Sequence, residues 1–303
     1  MGTKASDVMD KVTAAIIASI EEGLVDGTWK RPWTSNGVDG LGIPTNASTG
    51  KPYRGGNIFV LWLSSLESGY TSSKWATYKQ WEAMGAQVRK GERGTFGVKY
   101  TPLECRNHSK DEQCQRCGSV AVNSFALFNA DQVDGYESTE EVTVERQTNP
   151  DGRVPALDAF FDSVGATIEY GRGSACYIPA ADKIGMPSFE DFVDADSFYA
   201  VLSHELVHWT GAESRLGRDL SGRFGSNSYA MEELVAELGS AMMCATLGIT
   251  DTPRPDHAQY LKHWLEVLKE DSKALWSAAS LASKAVAFLG ADTFTPAPEV
   301  VPA

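Results

Sequence analysis

The run His204-Glu205-Leu206-Val207-His208 constrains this chain more than any other stretch of its 303 residues. On a helix, side chains four apart lie one above the other. Two imidazoles therefore share a face, with a carboxylate between them. Such a pair can hold one Zn²⁺, and Glu205 can then take a proton from water on the ion. A five-residue pattern also arises by chance, so its surroundings decide.

The flanks read as a short helix. Asp196 and Ser197 are of N-cap type, Phe198, Val201, Leu202, Leu206 and Trp209 follow at helical spacing, and Gly211 stands where a C-cap glycine belongs. A second helix is expected from Tyr229 to Gly248, capped by Ser226 or Ser228. Its small residues Ala230, Ser240 and Ala241 allow close approach to the histidine helix. Glu233 and Glu237 share one face of it. Glu233 is read as the third ligand, with Glu237 accepting a hydrogen bond from a ligating imidazole. The reverse assignment stays open. Glu232 is expected to point elsewhere, into solvent. Burying two histidines and a glutamate here without a strong partner would be costly.

Net charge is −13, which taken alone argues against a nucleic-acid partner. The distribution changes that. Residues 1–130 carry 15 Lys and Arg against 12 Asp and Glu, whereas the remainder carries 12 against 28. Within residues 51–100 the count is eight basic to three acidic. The two halves therefore face different partners. The longest clean apolar stretch, Ile58 to Leu63, is too short to span a bilayer. Five cysteines without a disulfide framework, and no signal-peptide pattern, fit a reducing cytoplasmic setting.

An amphipathic helix is expected over 7–24, with further helices over 57–66 and 75–84. Strands are expected over 96–100 and 120–128, paired with each other. Composition shifts to Glu, Thr, Asn, Pro and Gly near 137, so residues 1–136 form one domain, 137–154 a linker and 155–290 a second domain. Residues 291–303 read as a disordered tail. The second domain begins with a helix at 155–163, a strand near 166–170 and an extended segment at 175–179, and closes with a helical stretch over 257–289. The extended segment Cys176–Ile178 is either an ordinary strand or an edge that pairs with peptide backbone.

The first domain interleaves aromatics with cations: Trp29, Trp33, Tyr53 and Trp75 among Lys30, Arg31, Lys51, Arg54, Lys74, Lys79, Arg89, Lys90 and Arg93. Aromatic faces stack on exposed bases and cations follow phosphates, the chemistry of single-strand binding. Many of these aromatics could equally be core.

Several runs carry a resemblance: Trp29-Lys30-Arg31-Pro32-Trp33, Thr49-Gly50-Lys51-Pro52-Tyr53-Arg54-Gly55-Gly56-Asn57, Trp75-Ala76-Thr77-Tyr78 and Gly85 to Glu92 in the first half. His204 to Gly211, Ser214-Arg215-Leu216, Phe224-Gly225-Ser226 and Tyr229 to Leu238 carry it in the second. Together they resemble the ArdC antirestriction family. The resemblance implies an α+β fold of two domains, a single-stranded-DNA-binding domain followed by a zincin-like (HExxH, gluzincin-type) metallopeptidase domain. It implies a plasmid- or phage-borne protein that shields incoming DNA from restriction, with a host restriction-system protein as a candidate target. It leaves open whether the peptidase is active; a DNA-coating protein with a non-catalytic zinc scaffold is the alternative. One feature departs from the family pattern: Cys105, His108, Cys114 and Cys117 supply four soft ligands within thirteen residues, a set suited to a second, structural zinc.

Overall fold

The computed structural model describes residues 4–26, 42–103, 119–137, 147–223, 226–250 and 257–294. Trp29, Lys30, Arg31 and Trp33, and the Cys105, His108, Cys114 and Cys117 set, lie outside the described residues.

The chain opens with helix α1 (Ala5–Asp26), which buries Val8, Ile16 and Ile20 on one side. Four strands then form one sheet: β1 (Thr45–Asn46), β2 (Lys74–Ala76), β4 (Thr95–Pro102) and β5 (Val120–Asn129). Their spatial order is β1-β2-β5-β4. The expected pairing of β4 with β5 is antiparallel, in register from Thr95↔Leu127 to Pro102↔Val120. Short strands β3 (Gln87–Val88) and β6 (Val133–Asp134) pair beside it. Helix α2 (Gly56–Ser68) packs against β4.

The helix expected over 75–84 starts three residues late, as α3 (Tyr78–Ala83). Trp75 and Ala76 are strand residues between β1 and β5, and both are fully buried. The helix signal at Ser72 and Ser73 loses to a better one. Thr77 caps α3, accepting from the Gln80 N–H while the Gln80 side chain accepts from the Thr77 N–H at 3.0 Å.

Asn57 covers part of the outer edge of β4. Its Nδ2 donates to the Val98 carbonyl at 2.8 Å, and its Oδ1 accepts from the Val98 N–H at 2.8 Å. One side-chain amide thus stands in for a neighbouring strand. Gly97 makes room, since a Cβ there would lie 3.1 Å from Asn57 Oδ1.

The second half begins with α4 (Pro155–Ser163) and a three-stranded sheet of β7 (Thr167–Glu169), β8 (Cys176–Ile178) and β9 (Lys183–Gly185), ordered β7-β9-β8. Strand β8 is an edge. Helices α5 (Ala195–Thr210) and α6 (Asn227–Leu247) follow. The expected single stretch over 257–289 is two helices, α7 (His257–Glu270) and α8 (Ala274–Phe288). The break is a turn in which the Asp271 carboxylate accepts from the Lys273 N–H at 2.9 Å. Helix α6 is central and packs on α5, α7 and α8. Among the described residues no helix is long and apolar enough to cross a membrane.

A single apolar cluster joins both halves. Ile16, Phe59, Trp62 and Val98 share it with Leu206, Met242, Trp264 and Trp276. Two expectations are corrected by the packing near the boundaries. Residues 291–294 are not tail: Ala291 is buried and Phe294 meets Phe160 edge to face at 5.4 Å. The end of the expected linker is also anchored, with Val154 buried and the Arg153 guanidinium 4.4 Å above the Phe189 ring.

The first turn of α2 forms the seam between the halves. The Gly55 N–H donates to Ser283 Oγ at 2.8 Å, and a Cβ on Gly56 would lie 2.1 Å from the Trp276 ring. Gly56→Ala must displace that indole. We expect a loss of about 1–3 kcal/mol in urea unfolding, the usual range for overpacking. Wild-type stability in that variant would show the seam to be looser than described.

Candidate metal centre

Helix α5 begins at Asp194, whose carboxylate accepts from the Ser197 N–H at 2.7 Å, two residues ahead of the expected cap at Asp196. It ends at Gly211 as expected. The glycine is right-handed there (φ −74), so backbone freedom is not its purpose. A Cβ at 211 would lie 2.9 Å from Arg218 Nη2 and 2.9 Å from Leu220. Helix α6 approaches α5 at Gly239, where a Cβ would be 2.8 Å from Val207. Ser240 Oγ donates across the same crossing to the Ala200 carbonyl at 3.0 Å. Of the expected small residues, Ala230, Ser240 and Ala241 are all buried. Gly239 is the contact that sequence reasoning passed over.

That crossing brings Glu233 onto the histidines. His204 Nε2 and His208 Nε2 are 3.1 Å apart, and the Glu233 carboxylate oxygens lie 3.5 Å from the first and 3.6 Å from the second. A tetrahedral ion with bonds of about 2.0–2.1 Å would set neighbouring ligand atoms roughly 3.3 Å apart. His204, His208 and Glu233 thus fit a single divalent ion, with ligand atoms within 4.8 Å of one another.

The surrounding carboxylates orient the rings. His204 Nδ1 faces Glu237 Oε1 at 3.5 Å. Glu232, expected in solvent, instead turns in beside the centre with its side chain only 11% exposed: His208 Nδ1–H donates to its Oε1 at 3.1 Å. That bond fixes the ring so that Nε2 faces Glu233. Arg218 explains the inward turn. Its side chain is only 4% exposed, and its Nε and Nη2 donate to both Glu232 oxygens at 2.9 Å. It also donates to Thr210 Oγ1 at 2.8 Å and to the Val207 carbonyl at 2.6 Å. Burial opposes the charge on Glu232, but His208 and Arg218 hold its carboxyl below the usual range. Burial likewise opposes charge on His208. The Glu232 bond and the charges of Glu233 and Glu205 outweigh it and lift the imidazole to about 9. The pocket is negative enough to hold a cation.

Glu205 is buried, and its Oε2 accepts from the Tyr177 N–H of β8 at 2.8 Å. Edge strand and carboxylate therefore line one cleft of about 310 Å³, with Pro179, Leu220 and Tyr229 on its walls. The far side of β8 is clamped. Arg215 stacks on Trp209 at 3.9 Å, donates to Tyr177 Oη at 3.1 Å and pairs with Asp182. Asp182 holds a left-handed backbone (φ 49), which aspartate tolerates better than most residues. The Arg215 bonds draw its carboxyl below the usual range.

The amino-terminal candidates are dispersed. Lys51, Arg54, Lys79, Arg89, Lys90 and Arg93 are exposed and Lys74 is half-buried. Arg54 pairs with Asp292 at 3.4 Å, and Arg89 with Glu92 at 3.1 Å. Trp75 is corrected: wholly buried against Leu61 and Leu127, it has no face for a base. Tyr53 is half-buried, its hydroxyl donating to the Trp75 carbonyl at 3.3 Å.

Crossed helices bearing two histidines and a glutamate beside an edge strand define a zincin-like domain, here joined to an amino-terminal α+β domain. Residues 155–281 match a family model described as a zincin-like metallopeptidase. Residues 6–149 match the N-terminal domain of the anti-restriction factor ArdC. The solved antirestriction protein ArdC of plasmid R388 is similar in its metal-free form, at 36% identity and a TM-score of 0.77 over 95% of this chain and 99% of that one. Its Mn(II)-bound form matches at 37% identity and a TM-score of 0.75, over 94% and 97%. The chain belongs to the ArdC family of antirestriction proteins. It is also 41% identical to the uncharacterized protein y4eC of Sinorhizobium fredii, over 92% of this chain and 90% of that protein. It is 36% identical to the DNA primase TraC of Escherichia coli over 91% of this chain, spanning only 26% of that longer protein. The likeness to the primase thus includes both halves.

Arg218→Met should release Glu232 and let His208 turn. Losses of such outer partners typically weaken metal binding about 10- to 100-fold. Competition against a chromophoric chelator measures it, and unchanged affinity would remove Arg218 from the design of the centre.

Proposed function

We propose that this chain is an antirestriction factor that binds single-stranded DNA through residues 1–136 and cuts a host restriction-system protein at a zinc centre within residues 155–290. It acts in the cytoplasm on DNA arriving with a plasmid or phage. The observation that carries the hydrolytic part is Glu205. A scaffold needs His204, His208 and Glu233, but has no use for a fourth buried carboxylate aimed into an open cleft. The relative from plasmid R388 adopts a similar fold in its metal-free form, which supports a working rather than a stapling role for the ion.

Zinc on these three residues would supply a Lewis acid that polarises a peptide carbonyl. Glu205, held at Oε2 by the Tyr177 amide, is placed to accept a proton and pass it to a leaving amine. Tyr177 donates its N–H to Glu205, so its amide and carbonyl are turned away from β9. Its carbonyl is thereby free to receive a hydrogen bond from an extended peptide. Arg215 and Asp182 keep that edge in place.

Glu205→Gln preserves shape but cannot accept the proton. It should abolish protection in a conjugation–restriction assay while leaving metal content and melting temperature unchanged. Full protection by this variant would sink the proteolytic reading and leave a DNA-coating protein with a non-catalytic centre.

The cysteine–histidine set of residues 105–117 is proposed as a separate structural zinc, on its ligand types alone. Plasma mass spectrometry should find two zinc ions per chain, falling to one in Cys114→Ser/Cys117→Ser. A single ion in the wild type, lost on His204→Ala, would eliminate the loop site.

A further inference from the structure

We propose that unpaired bases stack on a shallow aromatic platform formed by Tyr78, Phe96 and Phe128, with the small residues Gly94 and Ala126 beside the rings. This rests on the reading above that the amino-terminal half binds single-stranded DNA, and assigns it a face that the buried Trp75 cannot provide.

The platform follows from strand register. Phe96 on β4 lies opposite Ala126 on β5, so both project from the same face of the sheet. Phe128, two residues along β5, shares that face. The residue beside Phe128 is Gly94, whose added Cβ would lie 3.1 Å from the Phe128 ring and 3.2 Å from Ala126 Cβ. The half-buried Phe128 ring therefore lies across Gly94 and next to Ala126, on the same face as exposed Phe96. Tyr78, at the start of α3, extends the surface, meeting Phe128 edge to face at 6.4 Å. Its hydroxyl accepts from Gln87 Nε2 at 2.9 Å, which holds the ring in place before any ligand arrives.

Large aromatics in a water-soluble half are normally covered, yet Tyr78 is 44% and Phe96 38% exposed. The next apolar positions on the same face, Tyr100 and Val122, are exposed too, but buried Val98 separates them from the platform.

The exposed charges next in sequence to the platform are mostly cationic, with Glu82 on α3 the exposed acid among them. Lys79 adjoins Tyr78, Arg93 adjoins Gly94, and Lys90 lies in the turn before them. All three are exposed, and none forms an ion pair with another described residue. Residues 51–100 hold eight basic against three acidic side chains in a chain of net charge −13. Rings to take bases, with cations to take phosphates, fit a single strand, because in a duplex the faces of the bases are already stacked.

Fluorescence anisotropy of the full chain with a labelled oligothymidine at low salt is the test. Wild type should bind, with affinity falling steeply as salt rises. Tyr78→Ser and Phe96→Ser should each weaken binding roughly five- to hundredfold, the range that stacking of one base spans. Gly94→Val leaves charge unchanged but crowds the Phe128 ring and Ala126, so it should weaken binding similarly; circular dichroism and melting temperature verify its fold. Photocrosslinking of an iododeoxyuridine strand should label Tyr78 or Phe96. Unaltered affinity in both serine variants, or crosslinks confined to Tyr100 and the far end of the hairpin, would overturn the platform while DNA binding itself stands. A wild type that fails to bind at low salt would overturn both.

Discussion

Everything at the metal centre depends on how closely α6 can lie on α5. The ligands come from two helices, and an ion tolerates errors of only a few tenths of an ångström in their spacing. Gly239 under Val207, and the Ser240 bond to the Ala200 carbonyl, fix that approach. Leucine or valine at 239 would push the helices apart and carry Glu233 away from both imidazoles. The longest helix of the second half therefore spends its middle turns on packing so that one turn nearer its start can deliver a carboxylate. The apolar cluster around α6 resists any relaxation of that geometry.

The electrostatics are as constrained as the packing. Four glutamates, at 205, 232, 233 and 237, are gathered around two imidazoles with little water to screen them. Left alone they would repel one another strongly. Arg218 offsets one charge from below, and Glu205 is steadied by a backbone amide. A bound cation relieves the rest. The site is thus assembled with a surplus of carboxylates over cations, which favours a bound divalent ion.

The residues of the centre were legible because helical spacing is a strong local rule. Two histidines at i and i+4, and glutamates four apart on a capped helix, project onto defined faces whatever lies around them. Glu232 was misread for the same reason. Spacing places it off the Glu233–Glu237 face, and only Arg218, reaching in from the loop past Gly211, turns its carboxylate toward His208. Long-range partners of that kind leave no periodic trace. Trp75 failed differently: aromatic–basic interleaving does not distinguish a stacking face from core, and strand pairing on both sides decided for core. The hairpin of β4 and β5 was visible from alternation. Of the strands of two or three residues, β7 and β8 were visible as a strand near 166–170 and the extended segment Cys176–Ile178, whereas β1, β2, β3, β6 and β9 were not, since so few positions carry no pattern.

Helix α2 is shared property. Within its first turns Asn57 covers part of the edge of the amino-terminal sheet, while Gly55 and Gly56 seat the same helix against α8. Cutting the chain between its halves would therefore strip apolar cover from both fragments. The two parts behave as one cassette, able to be carried whole into a larger polypeptide but poorly suited to being divided. The likeness to a segment of a much longer primase, running across both halves, is what inheritance of such an undivided block would leave behind.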